Sequence, residues 1–340
     1  METSLTSFKT QLREALLALL WRQWSALGVS GHARTEDPWL IDPEALLLIS
    51  TVIARHDARL FDEILDWLQL NADSLNLQRL ARLQKDHALG DATVLAAIAA
   101  QLTREKAHPK WRTLAARTPA PASTTPPRPL FPHLPAIGRG DATWLTWGWQ
   151  RPPAEQRGLS QVPSPDQPAT FLFKLRALFG LQTRAEVIAW LLAHETGHPA
   201  EIARATAYFR GSIQGLLNEL AASGHITALR AGREKRFGLR HAEWRFLLTW
   251  PDAGTFPRWL PWAALFSLFQ RLWIMLEHPR LLAMSPNVQA IELERALAPA
   301  IVPLHSAGLW AMPSSAPVGE AAVTSTVDQI RDLLRQLRIL

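Results

Sequence analysis

Apolar side chains recur every three or four positions along most of this chain, the spacing that places them on one face of an α-helix. The first such stripe consists of Leu12, Leu16, Leu19, Leu20 and Trp24. Asp42-Pro43 and Asp91 are start signals, because a short polar side chain caps a first turn and proline fits the first helical position. We therefore predict an all-α N-terminal domain over residues 1–106, with helices at 5–28, 43–56, 58–70, 74–83 and 91–106.

Residues 246–340 have helical patterns as well and form a predicted helical C-terminal region. Helices are expected at 257–278, at 286–297 with a continuation to 304 after a proline break, and at 327–340, with a loop at 312–323. The last one is amphipathic, with a stripe of Val327, Ile330, Leu333, Leu334 and Leu337. Such a stripe can pair with its copy in a homodimer or fold back onto the same chain, and both arrangements fit the pattern.

Between these regions, residues 107–167 lack a helical period and are rich in proline, as in TPAPASTTPPRPLFPHLP. We predict a linker or an extended strap. A structureless loop of this length is unusual inside a folded protein, so part of it is expected to dock. WLTWGW at 144–149 is the candidate for a short strand or an aromatic anchor.

The pattern changes again in residues 168–245. Helices are predicted at Phe171–Phe179, Arg184–Glu195, Ala200–Ala207 and roughly Arg210–Ser223, the last being stopped by Gly224. HITAL then alternates as a strand, RAGREKR forms a basic turn, and RFGL returns as a second strand. The whole chain is therefore expected to be mainly α, with one small β-hairpin in its central part.

The helix predicted at 210–223 is apolar on one face only, through Ile213, Leu216, Leu217 and Leu220. Its opposite face carries Arg210, Gly211, Gln214, Gly215 and Asn218. In the major groove of DNA, asparagine and glutamine pair with adenine edges and arginine with guanine, and glycines let the backbone approach closely. The loop that follows holds the cations Arg230, Arg233, Lys235 and Arg236, which suit phosphates or the minor groove.

The charge distribution agrees with a polyanionic partner for the central part. The chain of 340 residues has a formal net charge of +6. Residues 1–106 contribute −3, residues 107–167 contribute +4, residues 168–245 contribute +5, and residues 246–340 are neutral. An excess of basic residues in one region is the electrostatic mark of a nucleic-acid-binding surface. We do not expect the acidic N-terminal domain to belong to that surface.

The stretch HPAEIARATAYFRGSIQGLLNELAASGHI, followed by GREKRFGL, resembles the winged helix-turn-helix domains of bacterial transcriptional regulators of the MarR and ArsR kind. The resemblance covers residues 168–245 only. It implies that the second helix and the wing contact double-stranded DNA, and by position it assigns those contacts to Arg210, Ser212, Gln214, Asn218, Arg233, Lys235 and Arg236. The chain departs from the pattern at Phe209, where a capping Ser, Thr or Asp is usual.

One enzyme-like string lies in the same region. His194-Glu195-Thr196-Gly197-His198 spells H-E-x-x-H, which in zinc proteases needs both histidines on one continuous helix face. Gly197 and Pro199 flank His198 where that helix has to continue, so we expect an interhelical corner and no metal. A zinc hydrolase remains the third hypothesis.

Other features limit the function classes. The absence of cysteine excludes disulfides and thiolate metal sites and suits a reducing cytoplasm. The apolar segment from Trp259 to Leu276 contains Pro261, Gln270 and Arg271, which favours a buried helix over a membrane span. No secretory signal is visible at the N-terminus.

These patterns lead to one main hypothesis, a cytoplasmic, sequence-specific, non-enzymatic DNA-binding transcriptional regulator that needs no cofactor and acts as a homodimer. The alternative is a protein-binding adaptor or antitoxin-like protein, whose helical domains bind a protein partner and whose DNA binding is autoregulatory.

Overall fold

The structure is a computed structural model, and it describes residues 4–31, 38–104, 108–122, 124–135, 140–153, 157–232, 234–250, 254–311 and 317–340. Over these residues the chain forms fifteen α-helices, several 3-10 turns and two two-stranded sheets. The predicted mainly helical class is therefore confirmed. Polar side chains cap the first turns of several helices, as at Asp42 and Asn76, whose side chains accept backbone N–H groups.

Seven helices precede the central region. They are α1 (Ser4–Ala26), α2 (Pro43–Ile53), α3 (Ala58–Asn71), α4 (Leu77–His87), α5 (Ala92–Arg104), α6 (Arg112–Arg117) and α7 (Ala142–Thr146). The central region contains α8 (Phe171–Phe179), α9 (Thr183–Leu192), α10 (Pro199–Thr206), α11 (Arg210–Ala222) and α12 (His241–Trp244). The last three helices are α13 (Trp262–Glu277), α14 (Pro286–Ser306) and α15 (Glu320–Gln336). The strands are β1 (Arg128–Pro129), β2 (Trp149–Gln150), β3 (Thr227–Ala231) and β4 (Glu234–Gly238).

α14 is longer than the expected helix and runs through Pro299 and Pro303 without a break. A proline removes one backbone hydrogen bond and usually kinks or ends a helix. Here the buried residues Leu293, Leu297 and Leu304 lie on both sides of the prolines. Their common burial on the core side stabilises the continuous helix, since tertiary packing supplies most helical stability.

Two apolar cores organise the molecule. The larger one joins helices from both ends of the chain, and in it α13 packs against α1, α2 and α14. The indole N–H of Trp262 donates to the Leu40 carbonyl (2.7 Å), and the Gln270 side chain bonds the backbone of Ala88 and Gly90. Residues from 1–106 and from 246–340 thus share one core, which the sequence patterns of the two regions do not predict. We call this part of the protein, together with α6, whose Leu114 lies in the same core, the body.

The smaller core belongs almost entirely to residues 171–247, with Leu40 as an addition from the body. It contains the apolar faces of α8, α9, α10 and α11 together with Ile226 and Phe237 of the hairpin region. The sequence predicts each of these faces from its periodicity. We call residues 168–245 the module.

The apolar stripe of α15 is occupied within its own chain. Its residues Val327, Ile330, Leu333, Leu334 and Leu337 are at most 1% exposed and belong to the larger core. α15 packs against α1 and α14, and Arg22 donates to the carbonyls of Leu337 and Arg338. Of the two arrangements that the pattern allows, the structure has the stripe folded back, so this stripe is not a dimer contact.

Several described segments of residues 107–167 dock on the body as a strap, while residues 124–129 are exposed. WLTWGW contributes the helix α7 and the strand β2, and Trp144 and Trp149 are buried. The buried Arg151 pairs with Asp62 at 2.7 Å. Three successive backbone N–H groups, those of Gly158, Leu159 and Ser160, donate to the Asp66 carboxylate.

The apolar segment after residue 258 forms α13, which lies in the larger core with Leu265, Phe266 and Leu272 fully buried. Among the described residues, no helix combines the length and the hydropathy that crossing a membrane requires.

Candidate functional site

α10, α11 and the hairpin build an exposed polar surface of the module. α10 begins at Pro199 behind a capping box, in which the His198 ring accepts the Ala200 N–H and the Glu201 carboxylate accepts the His198 N–H. It ends at Thr206, and the left-handed backbone of the following Ala207 (φ +58°) turns the chain towards α11. Ile213 and Leu217 anchor α11 in the smaller core, so the opposite face of α11 points to solvent.

α11 begins at Arg210, and Phe209 precedes it without making a capping hydrogen bond through its side chain. The start of this helix, which the missing cap leaves open in the sequence, is thus Arg210. Phe209 is 69% exposed, and the Arg82 guanidinium of α4 stacks on its ring at 3.5 Å from the centroid. This cation–π contact ties the residue before α11 to the body.

The predicted contact residues on α11 share one exposed surface. Arg210, Ser212 and Asn218 are exposed, and Gln214 is half-buried. The Gln214 amide lies 3.4 Å from the Asn218 side-chain oxygen. Added Cβ atoms at Gly211 and Gly215 would meet no atom within 4 Å, so the backbone on this face is open to a ligand.

The hairpin lies beside this surface. β3 and β4 are antiparallel, with Arg230 opposite Lys235, and the tip contains Gly232 in the left-handed region (φ +64°). Lys235 Nζ donates to the Asn218 side-chain oxygen at 3.0 Å, which joins hairpin and helix directly. Arg230 is exposed on β3. Arg233, which the sequence also assigns to this surface, lies outside the described residues.

Arg236 has a different environment from the other hairpin cations. Its guanidinium binds the Glu201 carboxylate of α10 (2.8 Å) and the Thr196 carbonyl (3.3 Å). Burial alone would raise the pKa of Glu201, but hydrogen bonds from Arg236 and from the His198 backbone hold that pKa below its usual value. Arg236 therefore ties β4 to α10, and its charge is balanced within the protein.

The HETGH string forms the corner between α9 and α10. α9 ends at Leu192, and the two histidines follow in irregular backbone. The His194 ring stacks on Trp190 and bonds its carbonyl (2.7 Å), whereas His198 Nδ1 accepts the Ala200 N–H. Gly197 exchanges two backbone hydrogen bonds with Phe237 of β4.

This corner lacks the continuous helix on which a zinc protease holds its two histidines. The part of the chain that the structure describes also contains no cluster of three or more His, Asp or Glu side chains suited to a metal ion. The string instead brings β4 against the α9–α10 corner. A methyl group at Gly197 would meet the Trp190 ring at 2.3 Å, so glycine is required there.

A second feature adjoins α11 and is absent from the sequence predictions. Two adjacent cavities of about 780 and 1020 Å³ lie between the turn that joins α10 to α11 and the helices α4 and α6 of the body. Both are bordered by Arg82, Arg117, Tyr208 and Phe209. We call this space the cleft.

The net charge of residues 1–106 does not predict the basic side of the cleft, because it is a sum over the whole region and is negative. Arg79, Arg82 and Lys85 recur every third residue along α4, which is the one signal that the sequence offers. Arg79 also borders the smaller cavity, but it is only 2% exposed and its charge is paired with Asp42 and Glu44, whereas Arg82 and Lys85 border the cleft without an ion pair among the described residues.

Buried ion pairs hold the two walls of the cleft together. Arg79 of α4 binds Asp42 and Glu44, and Glu44 also binds Arg176 of α8, which in turn binds Glu186 of α9. Burial on its own would raise the pKa of Asp42, but the Arg79 guanidinium holds that pKa below its usual value. The module is thus clamped to the body by charged groups with almost no solvent exposure.

Two further contacts continue this clamp to the α10–α11 turn. Arg79 Nε donates to the Thr206 carbonyl (2.9 Å), and Asn76 donates to the Tyr208 hydroxyl (2.9 Å). Burial raises the pKa of the Tyr208 phenol above its usual value, so Tyr208 stays neutral in this position. The turn and α4 therefore have one fixed relative orientation.

Comparison of the chain with protein-family models, with curated proteins and with solved structures finds no match. The arrangement of side chains on the module and along the cleft is therefore the basis for a functional assignment. Its main elements are the polar face of α11, the hairpin cations and the basic wall of α4.

Proposed function

We propose that this protein binds double-stranded DNA through a winged helix-turn-helix and acts as a transcriptional regulator. In this proposal α9, α10 and α11 are the three helices, α11 is the recognition helix in the major groove, and β3–β4 is the wing. The observation that carries the proposal is the hydrogen bond between Lys235 of the hairpin and Asn218 of α11. Lys235, whose cation suits a phosphate, and Asn218, whose amide suits a base edge, thus lie on one exposed surface.

The order of elements supports the proposal. A helix, a corner, a helix, a tight turn, a helix and a hairpin follow one another in the order that the resemblance to MarR- and ArsR-type regulators implies. The Gly197–Phe237 bridge and the Arg236–Glu201 ion pair fasten the hairpin to α10. A wing held in this way keeps its position beside α11 without DNA, which lowers the entropic cost of binding.

The chemistry of the surface also fits DNA. Gln214 and Asn218 carry the amide groups that pair with adenine, and Arg210 carries the guanidinium that pairs with guanine. Arg230 and Lys235 suit phosphates, and such contacts make binding strongly dependent on salt. The proposal does not include the homodimer expected from the sequence. The α15 stripe on which that expectation depends is buried within the same chain.

The test is an electrophoretic mobility shift with a duplex taken from upstream of the coding gene. The unmodified protein is expected to bind in a salt-sensitive way. The double variant Arg230→Ala/Lys235→Ala should bind more weakly on every sequence and have a salt slope smaller by about 2. Asn218→Ala should instead cost about 1–3 kcal/mol on the preferred sequence and relax specificity.

A matched control removes two cations from the body. Arg295 and Arg335 are exposed on α14 and α15, each in a local ion pair, and their replacement by alanine should leave binding unchanged. Equal binding by the hairpin variant and the unmodified protein would remove the wing from the proposal. Equal binding by the Asn218 variant on all sequences would remove α11 as the reading element.

A further inference from the structure

The cleft between the module and the body is strongly basic. Its borders contain the cations Arg82, Lys85, Lys110, Arg117, Arg204 and Arg210. The two carboxylates among the bordering residues are Asp73, which lies near Lys110 and His108, and Asp86. A positive excess therefore remains along the cleft, on elements of both the body and the module.

The cleft continues the proposed DNA surface. Ser212 and Arg210, which belong to the exposed face of α11, also border the two cavities. A polyanion that leaves α11 at this end therefore meets the body next. Lys85 of α4 and Arg117 of α6 are both exposed there, and neither forms an ion pair or hydrogen bond with any residue that the structure describes.

Arg82 borders both cavities of the cleft and is held in place by two contacts. It stacks on the Phe209 ring and donates to the Ala207 carbonyl at 3.2 Å. These contacts fix the guanidinium while most of its N–H groups have no other partner among the described residues. A guanidinium held in this way suits a phosphate, because less conformational entropy is lost on binding.

The two walls of the cleft cannot drift apart easily. The bond from Arg79 to the Thr206 carbonyl connects α4 to α10, and the buried pairs of Arg79 with Asp42 and Glu44 hold that side chain in place. A cation on α4 is therefore held at a fixed place relative to α11. This is the preorganisation that a second contact to one rigid ligand requires.

We propose that the cleft binds the sugar-phosphate backbone of the same DNA duplex on one flank of the segment that α11 contacts. This inference rests on the proposed function, and it makes the body a part of the DNA-binding surface. The cations lie on separate elements and along both cavities, which fits an extended polyanion better than a single phosphate.

The test compares Lys85→Gln/Arg117→Gln with the unmodified protein by fluorescence anisotropy on a labelled duplex of mixed sequence, about 30 base pairs long, between about 50 and 200 mM salt. Phosphate contacts do not depend on sequence, so no known target site is needed. The slope of log affinity against log salt should fall by about 1.8, since each neutralised phosphate contributes about 0.9. Arg295→Gln/Arg335→Gln is the matched control and should keep the full slope.

The same control separates a direct contact from the general field of the protein. A loss of slope in Arg295→Gln/Arg335→Gln as large as in the cleft variant would show that Lys85 and Arg117 act only through that field, and it would overturn the proposal.

The remaining outcomes separate the two proposals. If Arg230→Ala/Lys235→Ala weakens binding and the cleft variant keeps its slope on the long duplex, the cleft inference is wrong and the proposed function stands. If the unmodified protein binds no duplex, both fail. If the cleft variant loses binding of ATP while duplex binding is unchanged, the cleft is a small-anion site and the inference is also overturned.

Discussion

Arg176 is the residue on which the junction between module and body most depends. It is buried, and it binds Glu44 of α2 and Glu186 of α9 at the same time. The network also contains Arg79 and Asp42, so three carboxylates face two guanidinium groups. Removing one partner from such a group leaves a buried charge without compensation, which costs far more than an exposed ion pair contributes.

We expect Arg176→Met to lower the free energy of unfolding by about 3–5 kcal/mol, because the buried Glu186 would lose its ion-pair partner and Glu44 would keep only Arg79. Urea denaturation followed by circular dichroism measures this change. Arg335→Met is the comparison, since Arg335 forms an exposed pair with Asp332 of the same helix and its loss should cost less than about 1 kcal/mol. Similar losses for both variants would contradict the assigned role of the buried network.

At the scale of elements, α11 is built with a local weakness. Gly211 and Gly215 lie in its exposed half, and glycine inside a helix is less favourable than alanine. The structure gives neither glycine a conformational need, because both have ordinary helical backbone and open space around them. Close approach of DNA to this face is the explanation that the proposed function supplies.

Gly215→Ala should therefore have opposite effects on stability and on binding. The added methyl group meets no neighbour and should stabilise the protein by about 0.5–1 kcal/mol. On the proposed DNA surface the same methyl group should weaken duplex binding, because it stands between the backbone and the bases. Thermal unfolding and anisotropy on one preparation measure both effects.

Gly197→Ala is the control for that experiment. Its methyl group would overlap the Trp190 ring, so this variant should be destabilised by about 1–3 kcal/mol. If Gly215→Ala stabilises the protein and leaves DNA affinity intact, α11 does not approach DNA closely through this face.

At the scale of the whole molecule, the two ends of the chain are folded together. α13 supplies Leu265, Phe266 and Leu272 to the core that also contains α1 and α2. The module lies between these helices in sequence but has a separate core. Residues 1–106 are therefore incomplete as a packed unit without α13.

A chain ended after residue 245 should consequently lose the cooperative unfolding of its N-terminal helices. The apolar faces of α1 and α2 would lose their cover, and exposed surface of this kind binds hydrophobic dyes and promotes aggregation. Thermal melts by circular dichroism together with dye fluorescence measure this. A sharp, cooperative transition of the shortened chain would contradict the shared core.

The positions of α11 and of the hairpin follow from local patterns. A one-sided apolar stripe, a stop at Gly224 and a basic turn between alternating segments are properties of adjacent residues, so the sequence alone determines these elements. The same reasoning predicts that the polar residues of α11 share a face. The sequence also predicts that HETGH forms a corner between two helices, because Gly197 and Pro199 prevent the continuous helix that a zinc-protease site would need.

Contacts between distant segments are decided only by the tertiary structure. Nothing next to Arg236 in the sequence indicates its pairing with Glu201, and the stripe of α15 does not state which surface covers it. The cleft is the clearest case. Its helices α4 and α11 are more than a hundred residues apart in the chain, and they belong to regions of opposite net charge. Periodicity tells which face of a helix is apolar, whereas the choice of its neighbours depends on how all the apolar faces and buried charges are satisfied at once.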